Sequence, residues 1–151
     1  MSEDLKLVIN WFLSKQSMSP KKLQKMLYYA QAWCITLNNE NNENIDNKLF
    51  EDKFQAWVHG PVIPKVYQEY KEFGYKDIPK INDNVKLSED IEDLLKQVLQ
   101  VYGDYSGNEL ENISHQEDPW IDARGTYSPL ESCNEIITEE SMFNYYIKQA
   151  N

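Results

Sequence analysis

The chain has 151 residues, enough for one well-filled core, and its 41% hydrophobic and 13% aromatic content argues against a disordered chain. Its formal charge of −10 disfavours a phosphate backbone as partner and favours a basic protein surface. Cys34 and Cys133 form no CxxC and stand in no Cys/His cluster, so a reducing compartment is expected.

Helical spacing dominates from the start. Leu5, Val8, Ile9, Phe12 and Leu13 recur at three and four residues and predict a first helix ending near Ser17. Its acidic start and broken apolar run match neither a signal peptide nor a membrane span, and the expectation is a cytoplasmic protein. Ser19-Pro20 reads as an N-cap followed by proline at the first helical position. The second helix, to about Leu37, carries a stripe of Leu23, Met26, Leu27, Ala30, Trp33, Cys34 and Leu37 that should face the core. An Asn-rich loop follows over 38–47.

Phe54 to Val58 alternates like a short strand, and Gly60-Pro61 should end it and turn the chain. Pro64 opens a third helix with Val66, Tyr67, Tyr70 and Phe73 as its apolar positions and Gly74 as its stop. A loop follows, with a brief extended piece around Ile78. Ser88 caps a fourth helix whose stripe is Ile91, Leu94, Leu95, Val98, Val101 and Tyr102. Ser106-x-x-Glu109 has the form of a capping box. Asp118-Pro119 should cap a short turn that carries Trp120, and Thr138 caps a last helix with Met142, Tyr145 and Tyr146 inward. The fold expected is a mainly α single domain over 1–151, about six helices with one or two short strands near 54–58.

Charge is uneven. Between Asn82 and Asp118 there are ten acids and two lysines, whereas Pro20 to Asn39 holds Lys21, Lys22 and Lys25 and no acid. Lysines at a helix N-terminus oppose its dipole and call for an acidic partner. Either the chain's own acidic segment or a partner protein can supply it. Lys21, Lys25, Tyr28, Ala32 and Thr36 lie opposite the predicted core stripe, with Lys22 and Tyr29 beside them. Together with His59 and His115 these lysines and tyrosines are the candidate partner-binding residues, unless a second layer of helices buries them.

No catalytic or metal constellation is legible. His59 and His115 lack ligand spacing, no serine stands in a GxSxG elbow, and no glycine-rich loop precedes a helix. No metal or cofactor is expected.

Three segments together resemble the Panacea family of SocA-like antitoxins and phage-associated proteins. They are Lys22-Leu-Gln-Lys-Met-Leu-Tyr-Tyr-Ala-Gln31-Ala-Trp33, Phe54-Gln-Ala-Trp57-Val-His-Gly60-Pro61-Val-Ile-Pro64-Lys-Val-Tyr67, and Ser114-His-Gln-Glu-Asp118-Pro119-Trp120 preceded by Val101-Tyr-Gly-Asp104. The resemblance implies a non-enzymatic protein that binds and neutralises a toxin encoded nearby. It also implies, as in SocA, an adaptor role towards the ClpXP protease. Ser106-Gly107-Asn108 departs from the bulkier run usual in the family. An adaptor or phage host-interaction factor with no cognate toxin is the alternative reading. A hydrolase built on His59 or His115 with a nearby carboxylate is the third.

Overall fold

The structure is a computed structural model that describes residues 1–150. In chain order it runs α1 (Glu3–Lys15), α2 (Pro20–Asn38), β1 (Gln55–Trp57), β2 (Gly60–Val62), α3 (Pro64–Tyr70) with a 3₁₀ turn to Phe73, α4 (Glu89–Tyr102), α5 (Gly107–Ser114), α6 (Asp118–Arg124) and α7 (Glu139–Gln149). The mainly helical expectation holds, with seven α-helices among the described residues and one two-stranded antiparallel sheet.

Caps set most helix starts. Ser19 accepts from the Lys22 amide with Pro20 at the first helical position, and Ser88 and Thr138 accept from Ile91 and Ser141. Ser106 and Glu109 complete both halves of the capping box. Gly107 fits the departure at this helix. A Cβ there would come to 3.1 Å from the Lys22 nitrogen, so the small residue lets the first turns of α5 and α2 touch.

α2 is the axis of the molecule and packs against α1, α3, α4, α5, α7 and β2. Every residue from Leu23 to Ala32 is buried, so this helix has no solvent face along its middle. Its polar side chains are spent on backbone groups that no ladder serves. Gln24 bonds both the carbonyl and the amide of Ile63, at 3.1 and 2.9 Å. Gln31 donates to Phe50 O at 2.6 Å and accepts from the Leu49 amide at 2.8 Å. The core joins residues from Leu5 in α1 to Tyr146 in α7.

Gly60-Pro61 does not end the strand region. The two strands pair Gln55 with Val62 and Trp57 with Gly60, closed by a two-residue turn at Val58-His59, with Gly60 at φ +105°. The extended piece at Ile78 forms a bridge to Met18. Three stripes differ from their predicted courses. Leu37 on α2 and Val101 on α4 are 56% and 62% exposed, and on α3 only Val66 is buried while Tyr67 and Phe73 face out. Tyr145 is half-buried beside the buried Met142 and Tyr146. No helix among the described residues is long and apolar enough to cross a membrane.

Candidate partner-binding surface

The lysines and tyrosines of α2 meet the acidic segment of the same chain, one of the two solutions open in the sequence. Lys21 Nζ lies 2.7 Å from Glu111 Oε1 and 2.9 Å from Asn108 Oδ1. Lys22 Nζ donates to Gly103 O at 2.5 Å, and the nearby charges are Asp104, Asp77 and Glu109. The acids therefore compensate the helix dipole from within.

Lys25, Tyr28 and Tyr29 are not on an outer face. All three are buried, because α5, α7 and the strand β2 pack over this side of α2. Ala32 and Thr36 are buried there too. Lys25 has one long bond, 3.5 Å from Nζ to Pro61 O. Burial pulls its pKa down to about 7; Glu111 opposes that shift and Lys21 adds to it.

Tyr29 donates to Glu117 Oε1 at 2.7 Å, and Tyr146 donates to the same oxygen at 2.8 Å. Tyr146 also lies 3.2 Å from the Tyr28 hydroxyl. Burial raises the Glu117 pKa, against the pull of the two phenols, and burial raises all three tyrosines. Tyr29 stacks on Tyr102 with ring centres 4.1 Å apart, and Tyr102 accepts a 2.9 Å bond from Trp33.

Glu117, not Asp118, is the N-cap of α6; its carboxylate is taken by the tyrosines and caps nothing, while Pro119 supplies the helical φ. Trp120 is buried as expected. Its Nε1 donates to Trp57 O at 2.8 Å, its ring stacks with His115 at 4.1 Å, and the Arg124 guanidinium lies over it at 5.0 Å. Arg124 is buried and donates to Ala56 O, Ser128 O and Glu131 O. Sequence reasoning missed Arg124, Glu111 and Glu117, because a charged residue in an acidic, polar stretch reads as solvated surface until its backbone partners are placed.

The two histidines part company. His59 sits at the hairpin tip, its side chain 69% exposed, with Nδ1 3.2 Å from Glu111 Oε2. His115 is half-buried against Trp120 with its Nε2 buried and unpartnered among the described residues, and burial lowers its pKa against the pull of Glu111. Glu111 itself stays acidic: burial would raise it, but Lys21 and His59 outweigh that. Trp57 is half-buried, packed edge-on to the exposed Tyr67 at 5.2 Å. A cavity of about 280 Å³ opens beside it, between the hairpin tip and residues 132–134. The motif residues thus form one construction in which α2 and the α5–α6 segment clamp the hairpin from behind. Its solvent side is His59, the edge of Trp57, Tyr67 and the end of Lys21.

The family model of the antitoxin SocA-like Panacea domain matches residues 23–121, about two thirds of the chain, and the chain belongs to that family. No curated protein and no solved structure matches it.

Proposed function

We propose that residues 1–151 act as one antitoxin-like module that binds and neutralises a protein toxin encoded nearby, without catalysis. The observation that supports this most is the family membership together with how the motif is used. Its side chains hold the hairpin, and the hairpin tip is what they hold out. In this reading Lys25, Tyr28, Tyr29 and His115 position the surface from beneath. His59, Trp57, Tyr67 and Lys21 touch the partner, with Lys22 at the margin. A tryptophan edge, a tyrosine and an imidazole give rigid contact area with polar tips.

The test is growth of cells that express the adjacent gene product with and without this chain. Rescue with copurification supports the reading; toxicity unrelieved and no complex with any neighbouring product removes it. Toxin half-life with and without ClpXP separates plain sequestration from delivery to the protease.

The His59–Glu111 pair favours a second, hydrolytic reading. Binding is preferred because Glu111 is committed to Lys21 and because Ser114 gives its hydroxyl to Glu111 O at 2.8 Å rather than to an imidazole.

A further inference from the structure

Leu37 and Val101 belong by period to the core stripes of α2 and α4, yet both are more than half exposed. They are neighbours. With Trp33, Leu94 and Val98 they line an apolar groove of about 270 Å³ between the C-terminal half of α2 and α4, with Ala150 at the end of α7 on its rim. Leu94 also lines a second hollow of about 410 Å³, so the two hollows adjoin at Leu94 along α4. The apolar stripes therefore run on past the core and end uncovered, and an apolar hollow between two helices has a shape that a further helix can fill.

The second hollow is acidic. Asp46 and Asp90 line it. Glu89 and Asp93 are exposed on the adjoining turn of α4. Lys48 is present there too, but its ammonium is held by Glu139 at 3.0 Å and Glu51 at 3.2 Å. Lys96, further along α4, faces Glu92 at 3.7 Å. Asp90, Leu94, Gln97 and Val101 follow at four, three and four residues. They form one line along the helix, roughly 16 Å from carboxylate end to apolar end at 1.5 Å per residue.

We propose that the adjoining hollows together seat an amphipathic helix of a basic partner protein, its apolar residues at i, i+4 and i+7 against Leu37 and Val101 and its lysines or arginines against Asp46 and Asp90. Helix-in-groove recognition has this form, with apolar anchors for affinity and end charges for register. A second copy of the chain fits poorly, since it brings its own charge of −10 and would set acid against acid. The surface lies at the opposite end of α2 from Lys21 and the hairpin, and it goes beyond the antitoxin reading.

The test uses the purified chain and three labelled synthetic helices of about sixteen residues, followed by fluorescence anisotropy. One carries leucines at i, i+4, i+7 and i+11 with lysines clustered at one end. The second replaces the lysines by glutamate, and the third scrambles the first. We expect saturable binding of the lysine helix, with the glutamate helix and the Asp90→Lys protein each about tenfold weaker at low salt. Val101→Asp, at an exposed position, should melt like the parent and abolish binding. Equal binding of the scrambled helix, binding indifferent to Val101→Asp, or no saturable binding overturns the proposal. So does a dimer in sedimentation that Val101→Asp dissolves, because the occupant is then a second copy. None of these readouts involves a toxin, so the antitoxin reading stands or falls apart from them.

Discussion

Gly60 lies directly over the aliphatic stem of Lys25: a Cβ on Gly60 would come to 2.7 Å from Lys25 Cε. The hairpin tip rests on the buried amine, and the glycine is required twice, by this approach and by its φ of +105°. Gly60→Ala should lower stability by about 1–3 kcal/mol from the backbone strain. Chemical denaturation of the variant checks this. Gly74→Ala is the comparison, since Gly74 also has positive φ but nothing within 4 Å of its added Cβ. It should cost less.

Lys25 gives a pH signature. Its folded pKa, near 7, lies below the ordinary value of 10.5. The unfolded chain therefore holds a proton that the folded chain has lost between these values. From this group, stability should rise with pH from about 7, with a slope on the order of 1 kcal/mol per pH unit, and the penalty is full below pH 7. Thermal melts at pH 7 and pH 9 should show the rise. Lys25→Met, which keeps the stem and drops the charge, should flatten it. The window stops at pH 9 because burial raises Cys34 to about 11, so above 9 its unfolded thiol ionises first and acts the other way.

Trp120 and Trp57 share a hydrogen bond but not a burial. Trp120→Ala removes a buried ring that contacts both His115 and Arg124 and should cost about 3–5 kcal/mol. Trp57→Ala removes a half-buried ring and should cost about 1–2 kcal/mol, while its carbonyl remains for Trp120. Urea midpoints of the two variants decide whether they separate.

At Glu117 two phenols share one oxygen. Glu117→Ala leaves the buried Tyr29 and Tyr146 hydroxyls without that acceptor and should cost about 2–4 kcal/mol. Glu117→Gln keeps an acceptor and removes a charge that burial disfavours. It should be close to neutral near pH 7 and relatively worse in acid, where the wild-type carboxyl is protonated. Denaturant midpoints at pH 7 and pH 4 test both.

The helices were legible because their signals are local. Ser19-Pro20, Ser88, the Ser106/Glu109 box and Thr138 each bond within three residues, and the apolar periods needed no partner to be read. The site was less so. A period of 3.6 finds the most apolar side of α2 and calls the rest a surface, but Lys25, Tyr28 and Tyr29 are buried by elements 30 to 120 residues away. Leu37 and Val101 show the converse: a stripe marks what can be buried, not where the chain runs out of material to cover it. Glu117 was not legible because Asp118 stands next to proline, where a cap is expected, and the tyrosines that claim Glu117 come from α2 and α7.

This construction is proposed as a protein-binding surface. The most direct measurement is a calorimetric titration of the purified chain into the purified product of the adjacent gene. A saturable complex is predicted, weakened by His59→Ala with Tyr67→Ala while the melting temperature holds. No heat of binding to any neighbouring product, or a hydrolytic turnover that disappears with His59→Ala, would contradict it.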